Sequence, residues 1–310
     1  MEKFEEIEKK VQQYFLAEEE RLTRQGEESR LEYFRKMQEK SAELFAGFAR
    51  HKVFEDRALR AVVGFGEDGI PRYWNPKEGN LLVCGPASGG FAAQGNLLAL
   101  LSLCRFSEEE LNWFYVARES ARGFFAEDDH CRESGSLWQG NCGEAFASLR
   151  AEIDKRSAMS EELLAKQPYV IVIFAGIDES LSRYWLRYRK LFSAIFTQGE
   201  KLKMACILAT GAPMKNPCFY WFRDRFSVYL LGQMCDLGEK SCPHEQGRRF
   251  LAKNNPATSG CALYCCGEEE TAVETYRLVL QWLGILEKDF SRREICSIEI
   301  GGAGILRKIR

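Results

Sequence analysis

The stretch Gly79-Asn80-Leu81-Leu82-Val83-Cys84-Gly85-Pro86-Ala87-Ser88-Gly89-Gly90-Phe91-Ala92 decides how the chain is read. Asn80 to Cys84 is an apolar run of buried-strand length, Gly85 to Gly90 is a glycine-rich turn, and a helical pattern follows from Phe91 to Leu103. Such a turn between a buried strand and a helix is where α/β proteins bind phosphate, because free backbone N–H groups and the positive helix end point at one spot. The alternation continues along the chain. Leu111 to Val116, Tyr169 to Phe174, Met204 to Ala209 and Phe226 to Leu231 read as buried strands, and Glu144 to Arg156 and Ser182 to Phe196 as helices. Strands that alternate with helices predict a doubly wound α/β fold around a mainly parallel sheet.

On either side of this core the texture differs. Leu59 to Phe65 and Ile70 to Trp74 flank the turn Gly66-Glu67-Asp68-Gly69 and predict a hairpin. Arg118 to Gly143 reads as a loop of mixed polarity. The tail predicts a strand at Ala262 to Cys265, a helix from Glu269 to Leu286 and a β-like stretch from Glu294 to Ile300. Residues 1–50 are charge-rich, with apolar positions at Phe4, Ile7, Val11 and Tyr14 and again at Leu31, Phe34, Met37, Ala42, Phe45 and Phe48. That spacing predicts two amphipathic helices interrupted at Gly26, an arm that packs on the domain behind it or self-associates. The expected organisation is an arm over residues 1–50 and a nucleotide-fold domain over residues 51–310.

The chemistry expected at the turn is deficient. A working phosphate loop reads G-x-x-x-x-G-K-[ST], its Lys reaching the β- and γ-phosphates and its hydroxyl holding Mg²⁺. Gly85 and Gly90 keep the spacing, and Ser88 and Gly89 lie within it, but Phe91 stands at the Lys position and Ala92 at the Ser/Thr position. Without the Lys, the glycines fit a vestigial phosphate loop and a close-packing turn equally. Active enzymes of this fold also end a buried strand with acids, one for Mg²⁺ and one to position water. In Pro168-Tyr169-Val170-Ile171-Val172-Ile173-Phe174-Ala175-Gly176 that position is Ala175-Gly176. Asp178 and Glu179 follow, and a helix N-terminus accounts for acids there more simply than a bulge turning one inward.

In the order of its pieces the chain resembles the FtsK/SpoIIIE family of P-loop ATPases, including the repeated ATPase domains of the type VII secretion motor (EssC/EccC), over roughly residues 58–290. Gly79 to Gly85 looks like that family's strand and loop entry, and Pro168 to Phe174 like its acidic-motif strand. Ile207-Leu208-Ala209-Thr210-Gly211-Ala212-Pro213, within Leu202 to Pro213, is similar to its "ILATQRP"-like sensor strand. Arg223-Asp224-Arg225-Phe226 to Gln233 and Ser259-Gly260-Cys261-Ala262-Leu263-Tyr264 match later segments. Thr210 survives, but Gly211 replaces the usual glutamine. The resemblance implies a RecA/FtsK-like P-loop NTPase fold and a degenerate, pseudo-ATPase domain that scaffolds, regulates or binds substrate beside an active FtsK-like ATPase or a secretion substrate. The alternative is a DNA or protein translocase that binds ATP through a non-standard loop.

Composition narrows the classes further. The chain has 310 residues, 45% of them hydrophobic, ample for a sizeable core. Its 43 Lys+Arg balance 45 Asp+Glu, so it has no net attraction for nucleic acid or an anionic membrane. No apolar run approaches the roughly 18 residues that span a bilayer. The charged opening, with no signal-peptide core, makes the twelve cysteines read as reduced and the protein as cytoplasmic, touching a membrane only through a larger complex. An oligomer is compatible with this reading. Cys235, Cys242 and His244, and His130-Cys131 with Cys142, lack a paired C-x-x-C arrangement, so no metal is expected. Neither is any cofactor, with Mg-ATP the one to test. The Tyr184 to Lys190 segment reads as a helix with one buried and one solvated face.

Overall fold

The structure is a computed structural model that describes residues 2–84, 99, 102–117, 130–136, 142–175, 180–210, 225–231, 261–274, 296–298 and 306–308. Two helices open the chain, α1 (Glu2–Gln25) and α2 (Glu28–Arg50). The strands are β1 (Ala61–Gly66), β2 (Pro71–Trp74), β3 (Asn80–Cys84), β4 (Leu111–Ala117), β5 (Cys131–Ser136), β6 (Tyr169–Ala175), β7 (Met204–Thr210), β8 (Phe226–Leu231), β9 (Cys261–Cys266) and β10 (Glu269–Glu274). Helices α3 (Cys142–Ser157), α4 (Glu161–Ala165) and α5 (Ser180–Gln198) lie between them, and Ala99, Ser102 and Leu103 are helical. A small antiparallel pair, β11 (Cys296–Ile298) with β12 (Leu306–Lys308), ends the described chain.

Ten strands form one sheet in the order β2-β1-β10-β9-β8-β3-β7-β6-β4-β5. From β8 to β5 every pairing is parallel, and β9, β10, β1 and β2 extend that block through antiparallel pairings. The central parallel strands β3, β7, β6 and β4 are buried on both faces, which is why they read as continuous apolar runs rather than alternating ones. Successive residues nonetheless serve opposite faces, as the pleat requires. Leu81, Val83, Ile171, Ile173, Ile207 and Ala209 join one core with Ala99, Leu103 and the arm. Leu82, Cys84, Val170, Val172, Phe174, Cys206 and Leu208 join the other with α3 and α5. These are the two covered faces of a doubly wound α/β fold.

The arm is an antiparallel helical hairpin. Gly26 takes φ +67°, and the N–H groups of Gly26 and Glu27 bond the carbonyls of Thr23 and Leu22, a Schellman stop that only a residue tolerant of left-handed backbone makes cheaply. Phe34 of α2 packs on Phe15 of α1 with ring centroids 5.0 Å apart, and Arg35 pairs with Glu19 at 2.9 Å. The end of α2 then sits on β1, Phe48 against Phe65 at 5.6 Å. The arm thus packs on the domain behind it.

Two expectations need correction. Glu269 to Glu274 is not the start of a helix but strand β10, paired residue for residue with β9 across a Gly267-Glu268 turn. Its glutamates mimic a helical composition, yet Thr271 and Val273 keep the strand alternation and Val273 is buried. Residues 275–286 of that expected helix lie outside the described residues. Second, the supposed loop from Arg118 to Gly143 contains β5. Cys-Arg-Glu-Ser-Gly-Ser has no apolar run; it is a strand because β4 supplies a backbone ladder from Trp113 to Ala117.

Candidate functional site

Parallel strands end on a common edge, and open α/β sheets bind ligands at their carboxyl ends. The register places Leu231 beside Cys84, Cys84 beside Thr210, Ala209 beside Ala175, Ala175 beside Ala117 and Ala117 beside Ser136. The edge therefore runs β8, β3, β7, β6, β4, β5, with β3 leading into Gly85. β7 separates β3 from β6, so Thr210 lies between the loop entry and Ala175, which end strands about 10 Å apart at two inter-strand spacings. Thr210 is wholly buried and Ala175 half-buried. Gly85, Ser88, Gly89, Gly90, Phe91, Ala92, Gly176, Asp178 and Glu179 lie outside the described residues.

Among the described side chains at these strand ends, Thr210 offers a hydroxyl and Cys84 a thiol. The last described residue of β6 is Ala175, at the position where active enzymes of such folds carry an acid that holds Mg²⁺ or orients water.

Among the described residues a charged cluster lies at the opposite, amino edge, to which the sequence reading assigns nothing. Arg156 of α3 is fully buried and donates to Glu152 Oε1 at 2.7 Å and to the carbonyls of Leu202 at 3.0 Å and Pro168 at 2.9 Å. Those carbonyls precede β7 and β6, so one guanidinium fixes the starts of both. Arg132 of β5 reaches Glu152 Oε2 at 3.1 Å and the Asn112 side-chain oxygen of β4 at 3.1 Å. Asn80, at the start of β3, donates to the Arg225 carbonyl and accepts from the Cys206 N–H, both at 2.8 Å. It bonds both neighbours of the loop-bearing strand. Just before it, Gly79 has φ +144°, and a Cβ there would lie 3.1 Å from Ser227 Cβ, so a side chain would push β3 from β8.

Burial pushes the Glu152 carboxyl up, but its hydrogen bond to Arg156 and the charges of Arg156, Arg132 and Lys155 outweigh that and hold it below its ordinary value. A carboxyl lowered in the fold stabilises above its unfolded pKa, and that contribution is lost as pH falls through the folded value. The wild-type chain should therefore lose stability below about pH 4.5, where unfolded glutamates titrate. Glu152→Gln should be less stable at pH 7 and show a shallower loss on acidification. Urea midpoints at pH 7, 4.5 and 3.5 measure both; parallel pH profiles would contradict the assignment.

Other expected constellations are placed as follows. His130 is buried, its ring stacked on Trp113 at 4.7 Å and its Nε2 2.9 Å from the Phe106 carbonyl oxygen. The neighbouring Cys131 thiol lies 3.5 Å from the Glu133 carbonyl, and Cys142 is buried in α3. Among the described residues no three His, Cys, Asp or Glu side chains converge as metal ligands. Cys235, Cys242 and His244 lie outside the described residues. In α5, Tyr188 packs on Phe146 at 4.3 Å while Arg187, Arg189 and Lys190 are exposed, one face buried and one solvated. No described helix is long and apolar enough to cross a membrane.

No protein-family model and no curated protein matches the chain. Solved structures do. The cytoplasmic domain of the type VII secretion ATPase EccC of Thermomonospora curvata superposes with a TM-score of 0.54 at 17% identity, over 73% of this chain and 31% of that one. EssC ATPases 2 and 3 from Geobacillus thermodenitrificans give 0.53 at 14% identity, over 75% and 49%. Thermomonospora curvata EccC ATPases 2 and 3, in complex with a signal sequence peptide, give 0.51 at 11%, over 72% and 41%. The chain spans about a third to a half of the length of these structures. At such identities the likeness establishes the fold, the α/β P-loop ATPase fold that the order of sequence segments led us to expect.

Proposed function

We propose that the chain is a catalytically silent FtsK/SpoIIIE-like ATPase domain that acts through protein contacts as a scaffold, regulatory or substrate-binding unit of a cytoplasmic translocation or secretion machine. The observation that carries this reading is Ala175, which ends β6 on the same edge as the loop-bearing β3 and leaves that position without an acid. Phe91 and Ala92, at the Lys and Ser/Thr positions of the loop sequence, agree with it. Phosphoryl transfer depends on a positioned metal and cations to neutralise developing charge, and an alanine, a phenylalanine and a second alanine supply none of these. Protein partners are favoured over nucleic acid because the charge is balanced and because one solved relative in fold holds a signal sequence peptide. In this reading residues 1–50 are the docking arm of an ATPase-fold domain over residues 51–310.

Phosphate release separates this reading from a translocase with a non-standard loop. The purified chain is expected to release phosphate from Mg-ATP at the buffer rate, unchanged by Gly90→Trp. A rate above buffer that Gly90→Trp abolishes would overturn the proposal and identify an active loop.

A further inference from the structure

We draw no further inference here: the strongest candidate, the outer edge of β5 (Cys131–Ser136) at the end of the ten-stranded sheet, is an edge on which a partner strand could add, but nothing among the described residues shows what covers it.

Discussion

Replacing Arg156 with methionine is expected to destabilise the protein by about 3–5 kcal/mol, the cost of breaking a buried ion pair by removing one partner. The substitution leaves Glu152 buried without its closest cation and takes a donor from the Leu202 and Pro168 carbonyls. Arg132 at 3.1 Å and Lys155 at 3.8 Å still face Glu152, which places the effect toward the lower end of that range. Against a total stability of roughly 5–15 kcal/mol for a folded domain, the loss is large enough to read directly in urea. The double variant Glu152→Leu/Arg156→Met should recover part of it, because no carboxylate is then left stranded. A single variant within 1 kcal/mol of wild type, by the same urea midpoints, would mean that the guanidinium does not hold the two strand starts.

Asn80→Ala is the second large effect, expected at about 1–3 kcal/mol, the cost of leaving one buried backbone N–H without its partner, while the other backbone group that Asn80 bonds is only partly buried. The Cys206 N–H loses its acceptor and the Arg225 carbonyl its donor. Amide hydrogen exchange should locate the damage: protection should fall at the start of β3 and at Cys206 in β7, with α1 and α2 unchanged. Asn80→Asp keeps the acceptor but turns the donor into a carboxylate oxygen that faces the Arg225 carbonyl, so it should restore protection at Cys206 but not the full stability. Equal protection at Cys206 in wild type and Asn80→Ala would contradict the assignment.

These two residues also show where the sequence stopped being legible. The limits of β3 and β8, Asn80 to Cys84 and Phe226 to Leu231, are legible in the sequence because strands buried on both faces announce themselves as short apolar runs between breakers. Strand β5 carries no such pattern, and β10 carries glutamates, so both depend on a ladder from neighbours that a local window does not contain. In the sequence Asn80 is legible only as the first residue of a strand. Its partners lie 126 and 145 residues away and are backbone groups, which no side-chain spacing encodes. The Glu152–Arg156 pair is legible as an i,i+4 pair on a helix, but its burial and its hold on two strands appear only once α3 lies across the starts of β6 and β7.

For the candidate site, the sequence supplied the residues and the topology supplied their neighbourhood. Thr210 and Ala175 come from segments 35 positions apart, yet adjacent parallel strands bring them to one edge beside the end of β3. That convergence follows from the sheet order alone, with β7 inserted between β3 and β6. It is what makes the alanine at position 175 informative, since the same residue at the opposite edge would bear on packing only.

Calorimetric titration of the purified chain with Mg-ATP and Mg-ADP, each to millimolar concentration, decides whether the chain holds a nucleotide. No saturable heat is expected with either nucleotide, because Phe91, Ala92 and Ala175 provide neither the cation nor the metal site that tight Mg-nucleotide binding uses. A saturable isotherm with micromolar affinity for Mg-ATP would contradict it and establish a nucleotide site built on a different set of groups.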